Sequence, residues 1–318
     1  MLSDVSGLSG FSGLSGEKIL FTGPAGRIGF NVARTLARDN EVWGMARFSD
    51  PAQMAEIEAQ GIHPFQADLE NPDFRELPDD FTYLVHFAAN FADLPFDRDM
   101  AINAESTGFL LDHCRKAKAA LVMSSVTVYK PHPDPWRERR EDEALGDMLA
   151  HVPASYPLTK IASEGIARYL ARSLRLPVTI ARMNSAYDER GGLMVSHLKA
   201  IAEGQPVVLR NDPLPYTPIH GEDIAAHVGP LLKAASVPAT IVNWCGDETV
   251  SAQEWCAYIA DMLGTTAKIE IEPFPGASVG SAQDDTRRLS ITGPCKVSWK
   301  EGIRRVAQQL YPDRVRVL

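Results

Sequence analysis

The chain has few cysteines, no long apolar run and no surplus of positive charge, and each absence excludes a class of protein. Four cysteines (Cys114, Cys245, Cys256 and Cys295) are scattered over 318 residues without a Cys-x-x-Cys pair, which suits neither a disulfide framework nor a zinc site. No His, Cys, Asp or Glu set has metal-ligand spacing, so no metal is expected. No stretch approaches the ~20 apolar residues of a membrane span. Acidic residues outnumber basic ones, 41 to 32, for a formal net charge of −9, so a phosphate backbone is not the expected partner. The opening MLSDVSGLSGFSGLSG lacks the basic region and apolar core of a secretory signal. Its Gly/Ser content predicts a flexible tail over residues 1–16. A reducing cytoplasm and a small-molecule substrate, with neither nucleic acid nor membrane, are the expectation.

From Lys18 onward, short apolar runs alternate with helical stretches, the pattern of βαβ units and a parallel sheet. Strands are expected at 18–22, 41–46, 62–66, 82–87, 120–125 and 177–182, with helices at 27–38, 51–59, 99–118 and 156–175. The expected fold is α/β, a Rossmann-type doubly wound parallel sheet, with ligands at the carboxyl ends of its strands. The rhythm changes after Arg182: a helix near 193–203 and a strand near 240–244 are separated by a Pro-rich stretch. Residues 17–182 plus 218–248 form the expected dinucleotide-binding domain. Residues 183–217 plus 249–318 form a smaller C-terminal substrate lobe.

The first strand runs into TGPAGRIGF, placing Gly23, Gly26 and Gly29 in a G-x-x-G-x-x-G turn that opens a helix. Glycines serve there because the turn is tight and the backbone must approach a pyrophosphate closely, while the helix N-terminus stabilises the anion. A strand before and a helix after give the motif its meaning. At the end of the second strand a carboxylate would bind the ribose hydroxyls of NAD, and an arginine would accept the 2′-phosphate of NADP. Ala46 occupies the acidic position, Arg47 follows, and Arg27 could reach the same phosphate, so NADP is expected, with NAD the alternative. Asp68 could bond the adenine ring or cap the next helix.

Several motifs then fall in a recognisable order: TGPAGRIG, ADL at 67–69, HFAAN at 86–90, SSVTVY at 124–129, YPLTK at 156–160 and IHGEDIA at 219–225. Over about residues 18–230 the chain resembles the extended short-chain dehydrogenase/reductases, which include nucleotide-sugar epimerases, dehydratases and carbonyl reductases. The resemblance implies a catalytic set of Ser125, Tyr156 and Lys160. It implies a cofactor site of Gly23, Gly26, Arg27, Ile28, Gly29, Arg47, Asp68, Leu69, Ala88, Ala89, Tyr156 and Lys160. Substrate contacts are expected at Asn90, Ser125, Asn184 and Ser185. The chemistry is coherent, because a phenol with a pKa near 10 needs a neighbouring ammonium to work at neutral pH. Positions i and i+4 of a helix share a face, so Lys160 can serve Tyr156. Leu158, Ile161, Ile166 and Leu170 are read as the core-facing positions of that helix. Asn103 matches a residue that holds the active-site backbone, and His86 is read as packed. By the same resemblance, helices 99–118 and 156–175 imply a homodimer.

The chain departs from the pattern in three places. The acidic pair that dehydratases carry after the catalytic hydroxyl is Val126 and Thr127 here, which argues against dehydration. Ser185 stands at an expected asparagine, with Asn184 beside it. Asp188 and Glu189 replace Gly-Pro, and no arginine lies at Tyr216 or Thr217, so a diphosphate would meet acidic residues unless Arg210 bends back to it, which weakens the nucleotide-sugar reading. Trp136, His132 and His151, between the two catalytic motifs, could contact substrate, although a mixed-charge run such as RERREDE usually forms a solvated face. The leading expectation is an NADP-dependent oxidoreductase acting on a carbonyl or secondary alcohol. A nucleotide-sugar epimerase with tightly bound NAD is the alternative, and a non-catalytic dinucleotide sensor comes third.

Overall fold

The computed structural model describes residues 13–147 and 155–316, apart from 274 and 277; His151 lies outside them. A seven-stranded parallel sheet forms the centre. It uses β1 (Lys18–Thr22), β2 (Glu41–Ala46), β3 (Ile62–Gln66), β4 (Tyr83–His86), β5 (Ala119–Ser125) and β6 (Val178–Met183), which follow the expected segments closely. The seventh, β11 (Thr240–Trp244), returns from the second half of the chain, giving the order β11-β6-β5-β4-β1-β2-β3. The order reverses beside β1, so the carboxyl ends of β1 and β4 open a crevice there.

Alternation along β1 feeds both faces of the sheet. Ile19 and Phe21 pack with Val32 and Leu36 of α1 (Gly29–Ala37) and with Val228 and Leu231 of α7 (Gly221–Lys233). Leu20 points the other way, among Leu110 and Leu111 of α4 (Ser106–His113) and Ala167 and Ala171 of α5 (Ser155–Leu174). The edge helix α2 (Pro51–Glu58) starts where the Asp50 side chain accepts the Ala52 N–H, with Pro51 in the first turn. No helix among the described residues is long and apolar enough to cross a membrane.

The helix expected over 99–118 is broken. It comprises α3 (Phe96–Met100), a π-helical turn at Ala101–Glu105, and α4, which ends at His113. The widened turn carries Asn103, whose side chain bonds backbone outside the helix. A second correction concerns α5. Its buried positions are Tyr156, Pro157, Thr159, Lys160, Ser163, Glu164, Ala167 and Ala171; Leu158 is 51% exposed and Ile166 half-buried, while Ile161 and Leu170, also half-buried, do pack against buried apolar clusters. The inner face of this helix is largely polar because its groups have partners inside the fold: Lys160 bonds the Met123 carbonyl, Ser163 bonds Thr107 and Glu164 pairs with Arg182.

The second lobe has its own apolar cluster. It is built on β7 (Ala186–Tyr187), α6 (Leu193–Ala202), β8 (Val207–Leu209), β9 (Pro215–Tyr216), β10 (Ile219–His220), β12 (Val250–Ser251), α8 (Ala252–Leu263), β13 (Ile269–Ile271) and α10 (Trp299–Leu310). Ser251 and Glu254 close a capping box on α8, and Gly264 ends it at φ 65°. The segment from 249 to 318 does not all belong to this lobe. Helix α9 (Thr286–Thr292) and Cys295 lie against the sheet domain, with Ile291 and Cys295 on its core. The expected tail also differs at its end, since Leu14 is buried in that core and its carbonyl accepts Asn40 Nδ2.

Candidate active site

The glycine turn is a cradle that side chains would fill. A Cβ on Gly29 would lie 2.0 Å from the Gly23 carbonyl oxygen, and Gly23, at φ 77°, sits against the Ala88 backbone. Thr22 Oγ1 accepts the N–H groups of Phe87 and Ala88, tying β1 to β4 at the crevice, and contacts His86 Nδ1 at 2.7 Å. His86 continues through Thr107 to Ser163 of α5. Burial, with the Lys160 charge adding to it, pushes its pKa down to about 3, so it is a neutral packing group. These features fit a dinucleotide with its pyrophosphate on the turn, and bound nicotinamide would supply the hydride acceptor or donor.

A cavity of about 370 Å³ runs from Arg27 and Ile28 past Ser125 and Tyr156 to Asn184, Ser185, Arg210 and Tyr216. Ser125, at the end of β5, accepts the Thr127 hydroxyl at 2.9 Å and the Thr127 N–H at 3.2 Å, leaving its own proton to donate. Tyr156 is buried, its ring 4.6 Å from that of Phe91. Lys160 lies one turn along, its Nζ 6.0 Å from the Tyr156 ring centroid and donating to the Met123 carbonyl at 2.8 Å. Burial raises the phenol above its ordinary range, partly offset by Ser125. Burial lowers the lysine to about 8, with Glu164 opposing the shift, so its charge state responds near neutral pH.

The lysine shift has a consequence for stability. Between about pH 8 and 10.5 the unfolded chain holds a proton on Lys160 that the folded chain has released, so stability rises with pH through that window. Below pH 8 both states are protonated and the full burial penalty is present. The gap, at ~1.4 kcal/mol per pH unit, sets a ceiling of about 3 kcal/mol, less what the Met123 hydrogen bond returns. Lys160→Met is therefore expected to raise Tm at pH 7, with the advantage narrowing towards pH 10 in thermal melts at both values. An advantage that stays constant with pH would refute this.

Neighbouring polar groups fix the site. Asn103 Oδ1 accepts the Asn90 N–H at 2.6 Å, and Asn90 Nδ2 donates to Asp99 at 2.7 Å. Asp99 also accepts the Ser155 hydroxyl at the start of α5. Asn90 is thus a scaffold residue rather than a free contact. The same holds for Asn184: its amide donates to the Ser281 carbonyl and Gln283 Oε1, and its oxygen accepts the N–H groups of Ser185 and Thr217. The buried Ser185 hydroxyl, by contrast, has no hydrogen-bond partner among the described residues and lines the cavity.

The two arginines expected at one phosphate have different neighbours. The Arg27 stem packs on Gly191 of the second lobe, whereas Arg47 is exposed at the end of β2, close enough to Glu70 to help lower its pKa after the larger effect of Arg98. Asp68 is exposed and accepts the Glu70 N–H in a turn that no helix follows. Leu69 is buried core, and Trp136 and His132 do not line the cavity. Sequence reasoning missed Phe91, Thr127 as a partner of Ser125, and Asn31, which donates to both Asp188 and Glu189. Burial raises Asp188 to about 6, opposed by Asn31, and Glu189 adds to the rise.

A Rossmann-type sheet with a glycine cradle and a buried Ser-Tyr-Lys set defines an NAD(P)-linked enzyme of the extended short-chain dehydrogenase/reductase superfamily. Residues 19–240 match the NAD dependent epimerase/dehydratase family, and the chain belongs to it. No curated protein sequence matches. Among solved structures, the chain is similar to UDP-glucuronic acid 4-epimerase from Bacillus cereus in complex with UDP-glucuronic acid and NAD, with TM-score 0.78, 21% identity and coverage of 92% of this chain and 100% of that one. It is also similar to UDP-N-acetylglucosamine 4-epimerase from Methanobrevibacter ruminantium M1 in complex with UDP-N-acetylmuramic acid, with TM-score 0.80, 19% identity, and 94% and 99% covered. At this identity the likeness establishes the fold.

Proposed function

We propose that the protein is an NAD-linked epimerase: it oxidises a secondary alcohol and re-reduces the resulting ketone at the same carbon. Tyr156 takes and returns the hydroxyl proton, Lys160 adjusts its acidity, and Ser125 donates to the substrate oxygen. The observation that carries this reading is that Ser125 and Tyr156 line one cavity with Lys160 buried one turn behind Tyr156, and that Val126 and Thr127 follow Ser125 where a dehydrating enzyme would need carboxylates. Solved relatives that bind NAD support NAD over the NADP expected from Arg47. A nucleoside-diphosphate sugar is the substrate class, with Arg210 at the far end of the cavity from Arg27 and Ile28 as a cation for the diphosphate.

A second reading, a reductase exchanging NADP, is favoured by Ala46 and Arg47 at the end of β2. Mass spectrometry of nucleotides released on denaturing fresh protein, with NADPH and NADH titrations, separates the two. Retained NAD is expected. An empty site preferring NADPH would overturn the epimerase reading.

A homodimer through α4 and α5 belongs to the same proposal. Phe109, Leu158 and Tyr169 are 52%, 51% and 68% exposed on these helices, and a 3.3 Å approach between a Cβ placed on Gly108 and Ile166 shows how closely the pair packs. Phe109→Glu combined with Tyr169→Glu is expected to halve the mass measured by light scattering. A wild-type monomer would refute the dimer.

A further inference from the structure

We propose that Asp223, His227 and Cys295 form a binding site for a divalent cation of the zinc type, apart from the active-site cavity. Asp223 and His227 are four residues apart on α7 and so share a face, and Cys295 comes from the loop before α10. One ligand atom from each lies within 4.8 Å of the others. Sequence spacing could not show this set, because 68 residues separate its third member from its second.

The donors suit such an ion. Carboxylate, imidazole and thiolate are the ligands zinc takes in tetrahedral sites, where bonds of ~2.0–2.3 Å place donors roughly 3.5 Å apart. His227 is the independent observation: it is 3% exposed, and its Nδ1 has no hydrogen-bond partner among the described residues, an arrangement that is rare for a buried ring nitrogen. Burial holds this imidazole neutral, as a ligand must be.

The surroundings keep Asp223 in place and balance the charge. Its oxygens accept the N–H groups of Lys296 and Val297, the residues directly after Cys295, so the loop is already folded around the carboxylate. Asp247 accepts the Cys295 N–H and pairs with buried Arg288, which also pairs with Asp285. A separate cavity of about 180 Å³, lined by Asp247, Cys295 and Trp299, reaches the cluster at Cys295. Bound metal would tie α7 of the sheet domain to the segment leading into α10 of the second lobe.

The test is titration of chelator-stripped, full-length protein with Co2+, followed by competition with Zn2+. One equivalent per chain, a thiolate-to-cobalt charge-transfer band, displacement by Zn2+ and a raised Tm are expected. Cys295→Ser is expected to abolish the band, and His227→Gln to weaken binding at least tenfold. Cys256→Ser, which alters the other Cys–His contact, at 3.7 Å to His197, is expected to leave the band unchanged. No band, a band surviving Cys295→Ser, or binding indifferent to His227→Gln would each overturn the proposal. Should Cys295→Ser fail to fold, alkylation of Cys295 in the wild-type chain decides: Zn2+ slows it at least tenfold if the site exists, and unchanged alkylation overturns it.

Discussion

Tyr156→Phe is expected to lower kcat by about 10²–10⁴-fold, the range over which a positioned acid-base group acts, while leaving dinucleotide binding within a few-fold. The substitution keeps the ring against Phe91 and removes only the hydroxyl beside Ser125. Binding should survive, since the glycine cradle and Lys160 are untouched. Steady-state turnover, with NADH titration of the same sample, checks both halves. Turnover within threefold of wild type would remove Tyr156 from the chemistry. A combined loss of turnover and binding would point instead to collapse of the cavity wall. Thr127→Val offers a graded comparison, since it removes the 2.9 Å hydroxyl donor to Ser125 but keeps the backbone N–H contact.

The glycine turn and the Tyr-Lys spacing were legible in the sequence because each is local: a tight turn needs glycines in a fixed order, and i, i+4 positions meet on any helix. Six of the seven sheet strands were equally legible, being short apolar runs in alternating order, and the seventh was read as a strand near 240–244. The inward face of α5 was misread for a physical reason. Of the apolar residues expected in the core, Ile161 and Leu170 do pack on buried clusters, Leu158 is exposed, and the fully buried face carries Thr159, Lys160, Ser163 and Glu164. Polar groups can be buried there because each meets a partner from a distant segment, Ser163 with Thr107 and Glu164 with Arg182, which helical periodicity does not reveal. The roles of Asn90 and Asn184 were hidden because their partners, Asp99 and Gln283, lie 9 and 99 residues away, and such pairings come only from the fold. The acidic replacement at Asp188 was visible, but its partner Asn31 on α1 was not.

The largest stability effect is expected behind the catalytic helix, at the buried pair of Glu164 and Arg182. Arg182 Nε and Nη2 donate to the two Glu164 oxygens at 2.9 and 2.8 Å, with both side chains at most 3% exposed. Ser124 donates to Glu164 at 2.6 Å, Arg182 reaches the Glu141 carbonyl, and its guanidinium lies 4.8 Å from the Tyr129 ring centroid. Removing one partner strands a buried charge, at a cost of ~3–5 kcal/mol, whereas removing both can be nearly neutral. Arg182→Met is therefore expected to destabilise strongly, and Arg182→Met with Glu164→Leu to recover much of that loss. Urea unfolding of the two singles and the double measures the coupling, and strict additivity would show that the pair does not act as a unit. Function should follow, because Glu164 lies one turn beyond Lys160 and its charge opposes the burial that lowers the lysine. In Glu164→Gln the Lys160 pKa is expected to fall below about 8, so the alkaline limb of kcat/KM moves to lower pH. A limb that stays in place while stability drops would confine Glu164 to holding the fold; a shift would make it the residue that keeps Lys160 charged beside Tyr156.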